Sequence, residues 1–126
     1  MIQAKLYLQR KIRDGNLELA WSYILDYENS LNLFQDRREA IARWKALCVK
    51  NVQASPAILE EAKRLTGLGV KPFDALHVAC AVEGACNLFV TTDDMLIKRL
   101  VGYDRLAVTN VVDALALLEE PDENGN

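Results

Sequence analysis

Short runs of branched and aromatic residues alternate with longer amphipathic segments along the whole chain, and this alternation limits the fold more than any other feature. Ala4, Leu8 and Ile12 recur at helical spacing with Tyr7 beside them, which predicts a helix over residues 2–13. Asp14, Gly15 and Asn16 then stop the helix and turn the chain. Residues 17–25, LELAWSYIL, become continuously apolar towards their end, the pattern of a buried strand. Residues 35–49 return to the helical period, with Ile41, Trp44, Leu47 and Cys48 on one face and Arg37, Arg38, Arg43 and Lys45 on the other. Residues 51–54 read as a short strand.

Ser55 before Pro56 is a helix start, a serine N-cap followed by proline at the first helical position. Ile58, Leu59, Ala62 and Leu65 form the core face of that helix, and Gly67, Leu68 and Gly69 end it. Lys71 and Pro72 open a helix over residues 73–83, which Gly84 closes. A strand at 87–91, a short helix at 93–100, a strand at 106–109 and a helix at 111–119 follow. Strands alternating with helices predict a single α/β domain over residues 1–118, with a mainly parallel sheet and helices on both faces. Residues 119–126, acidic with Pro, Gly and Asn, read as a flexible tail.

A chain of 126 residues, 51% hydrophobic and 26% charged, has enough apolar material for one core, which excludes disordered and fibrous classes. Fifteen basic against eighteen acidic residues give a net charge of −3. That argues against a protein that coats nucleic acid by bulk positive charge, and still permits a nucleic-acid enzyme with a local basic rim. Cys48, Cys80 and Cys86 have no zinc-type spacing and only His77 to assist them, so they read as buried or half-buried thiols of a reducing compartment. No apolar run is long enough for a signal peptide or a membrane span, so a cytoplasmic protein without a membrane partner is expected.

Ligands of open α/β sheets bind beyond the carboxyl ends of the strands. Three acidic residues are expected there: Glu28 after strand 17–25, Asp74 in the first turn of the helix that Pro72 begins, and Asp93, next to Asp94, after strand 87–91. Taken singly, each has a plain alternative: a solvated acid, a charge complementing a helix N-terminus, an N-cap. Taken together they form a set at one sheet edge, where carboxylates repel one another and a hard divalent cation such as Mg²⁺ or Mn²⁺ offsets the repulsion. A metal held in this way keeps waters able to attack a phosphodiester.

The stretch KPFDALHVACAVEGACNLFVTTDDMLIKRL, residues 71–100, resembles the second half of a PIN domain. The family has an aspartate opening a helix of the D-A-L-H-x-A kind, then a strand and T-x-D; here these are Asp74 to Ala79 and Thr91-Thr92-Asp93. SYILDYEN at residues 22–29, with Ser22 and Glu28, and VTNVVDAL at residues 108–115 also resemble family segments in the right order. The resemblance implies a three-layer α/β/α fold and a metal-dependent ribonuclease, in many small members the toxin of a toxin–antitoxin pair. It implies that Glu28, Asp74 and Asp93 are the catalytic, metal-binding carboxylates, with Asp94 a weaker fourth ligand and Mg²⁺ or Mn²⁺ the cofactor. RNA, an antitoxin protein and a second copy of the chain are the partners it implies.

The chain departs from the family at its start. PIN domains begin with a central strand ending in an aspartate that binds the metal, and no residue near Met1 matches it. Asp14 lies in a turn after the first helix, and Asp26 has no family role. Three outcomes are open: a truncated form of a longer natural chain, direct pairing of the strands on either side, or a second copy filling the gap. Direct pairing or strand addition is expected in the folded chain.

Lys71, Lys98, Arg99 and Arg105 are candidates to meet RNA phosphates, the first three as the substrate-binding set. His77, one turn after Asp74, reads as a structural histidine under the site, and Trp21 and Trp44 read as core. The functional expectation is a PIN-like endoribonuclease in truncated form. The alternative is a catalytically degenerate PIN-fold module acting through dimerisation or partner binding. A response-regulator-like domain fits less well, because no acidic pair follows a first strand and no lysine follows a late one.

Overall fold

The computed structural model describes residues 2–119 and the side chains of residues 4–118. Over these residues the protein is a mixed α/β chain: α1 (Ile2–Arg13), β1 (Ala20–Ser22), α2 (Tyr23–Ser30), α3 (Gln35–Lys45), β2 (Lys50–Val52), α4 (Pro56–Gly67), α5 (Pro72–Glu83), β3 (Leu88–Val90), α6 (Asp94–Arg99), β4 (Ala107–Thr109) and α7 (Val111–Glu119). The tail expected from residue 119 onward lies, after Glu119, outside the described residues. Among the described residues no helix is long and apolar enough to cross a membrane.

Helix ends follow local chemistry. The Ser55 hydroxyl accepts from the Ile58 backbone N–H at 3.3 Å, and Pro56 fills the first turn of α4. The strand expected over residues 17–25 is shorter: the extended run stops at Ser22, whose hydroxyl accepts from the Leu25 N–H and caps α2. Tyr23, Ile24 and Leu25 are therefore helical, and their unbroken apolarity reflects burial of Ile24 and part-burial of its neighbours. α3 ends at Lys45 and buries none of its residues, so its expected core face is only partly covered. Leu47 is exposed, and Trp44 is half-buried beneath the Arg13 guanidinium, 4.8 Å from its ring centroid. Trp44 is thus a surface dock for α1, whereas Trp21, 6% exposed, belongs to the core.

All strand pairing is parallel, and it comes in two separate pieces. β1 pairs with β2 in the register Ala20–Lys50, Trp21–Asn51 and Ser22–Val52. β3 pairs with β4 in the register Leu88–Ala107, Phe89–Val108 and Val90–Thr109. The direct pairing expected between the two halves does not form: β1 and β3 each keep one ladder partner. α5 touches both, and packs along α4 as well. Two-stranded pieces of three residues have little stability alone, so helix packing holds them.

The core gathers on α4 and α5. Ile58, Leu65 and Val78 are fully buried, joined by Ile24, Val70, Leu96, Leu100 and Leu106. Ala75, Ala79 and Cys80 are small and buried, and let α5 approach its neighbours closely. At its C-cap, a Cβ on Gly84 would lie 2.8 Å from the Val52 side chain, while the Lys50 ammonium donates to the Gly84 carbonyl at 2.5 Å. The left-handed backbone of this turn falls on the next residue, Ala85, at φ 57°. Cys80 is buried and Cys48 and Cys86 are half-buried free thiols.

Candidate functional site

Glu28 lies in the last turn of α2 with its side chain facing His77 of α5, the Glu28 Oε1 and His77 Nε2 being 2.8 Å apart. One position earlier in α2, Tyr27 stacks on Phe73 with ring centroids 6.0 Å apart and planes 12° from parallel. These two contacts fasten α2 to the first turns of α5. Asp74 sits in the first turn of α5, three residues before His77 and so on its face, and is half-buried. Glu28 and Asp74 are thereby carried on two adjoining helices with His77 as the link.

Asp93 stands beyond β3, at the start of α6. Its Oδ1 accepts from the backbone N–H of Met95 at 3.0 Å and of Leu96 at 3.2 Å, while its own N–H donates to the Thr91 hydroxyl at 3.1 Å. It is a well-made N-cap. Asp94 is exposed in the first turn of α6. Carboxylates are the right donor type for a hard divalent cation. Their placement does not suit one: among the described residues no group of three or more His, Cys, Asp or Glu side chains is arranged to hold a metal ion. Glu28 is turned to His77 and Asp93 to its helix cap, so the three do not fit a shared ion as they stand.

The basic residues fall in three places. Lys71 is exposed at the N-cap of α5, three residues before Asp74. Lys98 and Arg99 end α6, and the Arg99 guanidinium lies over Gly69, in the turn between α4 and α5. Arg105 is already engaged, donating to Glu61 at 3.2 Å and lying 3.7 Å from Glu83, which removes it from the phosphate-contact candidates. Asp26 is structural: its carboxylate accepts from the Trp21 indole at 2.9 Å and from Lys45 at 3.0 Å. Burial alone would raise the Asp26 carboxyl, but those two donors hold it below its ordinary value.

Glu61 is the charged residue that the sequence reading missed. It is 6% exposed on α4 and accepts hydrogen bonds from Arg64, Arg105 and the Tyr103 hydroxyl. Burial pushes its carboxyl up, yet Arg64, Tyr103 and Arg105 together hold it below the usual glutamate value. Tyr103 is shifted upward by burial and by the carboxylate it donates to. The available signal was register: Glu61 falls between Ile58 and Leu65 on the apolar face of its helix. This cluster fastens α4 to the segment after α6 and has the character of a buried structural network.

Comparison with known protein families, with curated proteins and with solved structures finds no match to this chain.

Proposed function

We propose that this chain is a PIN-like endoribonuclease dependent on Mg²⁺ or Mn²⁺, the toxin of a toxin–antitoxin pair, in a shortened form without the family's first aspartate. The α/β/α layering of such a domain is part of the proposal, as are its cytoplasmic setting and its RNA and antitoxin partners. The observation that carries it is the contact between Glu28 and His77, which sets the Glu28 carboxylate on the helix that bears Asp74. Those residues come from two of the motifs that resemble the family; Asp93, at the end of β3, comes from a third. Lys71, beside Asp74 on the chain, is the cation best placed for a nearby phosphate, and Lys98 and Arg99 extend the basic rim. With its three carboxylates held apart, the chain by itself is expected to cleave RNA weakly. Cleavage of RNA with Mn²⁺ tests this against Asp74→Asn: loss of a Mn²⁺-dependent activity in the variant supports the reading, and equal activity in both proteins removes it.

A second reading is a catalytically degenerate module of the same fold that dimerises or binds a partner protein. It is favoured by the division of the strands into two pieces and by the dispersed carboxylates. Calorimetric titration with Mn²⁺ separates the two. A tight signal competed by Mg²⁺ favours the enzyme, and its absence, together with a homodimer in sedimentation, favours the module.

A further inference from the structure

We propose that the chain carries a binding site for one extended polypeptide strand from a partner protein, formed by the open edges of β1 and β3 with α5 beneath them. β1 uses one edge on β2 and β3 uses one edge on β4; among the described residues the opposite edges have no ladder partner. α5 touches both strands, so a single helix brings the two open edges together. Sheet edges that face solvent are blunted by lysine, proline or bulges. β2 follows that rule with Lys50, exposed, whereas Ala20, Trp21 and Ser22 of β1 and Leu88, Phe89 and Val90 of β3 include no charge and no proline. Trp21 and Ser22 are nearly buried and all three residues of β3 are half-buried, which is the environment of interior strands rather than edge strands. The helix beneath is built of Ala75, Ala79 and Cys80, small enough to admit backbone close above it.

The expected ligand is an uncharged segment rich in Val, Ile and Leu, because a strand added to parallel sheets and covered by helices is apolar on both faces. A second copy of this chain is poorly suited to supply it. Each of its strands has three residues and is already engaged in a ladder. The site does not depend on the ribonuclease reading.

The test uses the full chain and a probe peptide, acetyl-Lys-Val-Ile-Val-Ile-Val-Lys-amide, with amide hydrogen exchange followed residue by residue. Saturable binding that slows exchange in both 20–22 and 88–90 is the expected result. The same peptide N-methylated at alternate residues keeps its side chains and loses donors, and is expected to bind at least roughly tenfold more weakly, the loss of about one well-made hydrogen bond. Protection of only one strand overturns the proposal. So does equal binding of the N-methylated peptide, or the same protection arising in peptide-free protein as it dimerises.

Discussion

The Glu28 carboxylate and the His77 ring meet at 2.8 Å across forty-nine residues of chain, directly beside the stacked rings of Tyr27 and Phe73. Because the pair joins two helices that share no local sequence, its worth is measurable by a double-mutant cycle. Glu28→Ala and His77→Ala are expected to show a coupling of about 0.5–1 kcal/mol in denaturant unfolding. Purely additive effects would show that α2 is held by Tyr27 and Phe73 without help from the polar pair.

Asp93 has two roles that substitution can pull apart. Asparagine is as good an N-cap as aspartate, so Asp93→Asn is expected to unfold at nearly the wild-type temperature, whereas Asp93→Ala loses the cap and about 1 kcal/mol. If the carboxylate also serves a metal, Asp93→Asn abolishes the Mn²⁺ response while leaving stability intact. Equal Mn²⁺ responses in wild type and Asp93→Asn confine the residue to its cap.

Glu61 ties stability to acidity. Its folded carboxyl lies below the ordinary glutamate value, so the stabilisation is fully present above that value, about 4.3, and is lost as pH falls through the lower folded value. Glu61→Gln is expected to lose about 1–3 kcal/mol at neutral pH, because Arg64, Arg105 and Tyr103 keep a weaker acceptor. The gap from wild type is expected to narrow in acid. Thermal unfolding of both proteins from pH 7 downward measures it, and parallel curves would exclude Glu61 as the cause.

At the end of α5, Gly84 is required for space and not for an unusual backbone angle. Gly84→Ala would press a methyl group against Val52 and is expected to cost about 1–3 kcal/mol. Shortening the obstacle in the double variant Gly84→Ala, Val52→Ala is expected to recover part of the loss introduced by the first substitution. Chemical denaturation of the three variants reads this directly.

What could be read along the chain depended on how local the physics was. α4 begins at Pro56 and ends at Gly67 as expected, since Ser55, Pro56 and the following Leu68-Gly69 turn act within a few residues of one another. The end of β1 was misplaced because Tyr23, Ile24 and Leu25 are apolar in either a strand or a buried helix, and the Ser22 cap decides between them. In α3 the periodicity of Ile41 and Trp44 marks a face, but nothing in that spacing says whether another element covers it. Glu28, Asp74 and Asp93 stood out by position, yet the link through His77 and the engagement of Asp93 in a cap arise from tertiary contacts that spacing does not encode.

The two tryptophans end in unlike surroundings, and this gives the chain a pair of built-in optical reporters. Trp21 is enclosed, with its indole N–H held by Asp26, and will emit towards the blue until β1 opens. Trp44, under a guanidinium at the surface, will emit further to the red and respond when α1 leaves α3. Fluorescence of Trp21→Phe and Trp44→Phe therefore distinguishes undocking of the first helix from collapse of the interior.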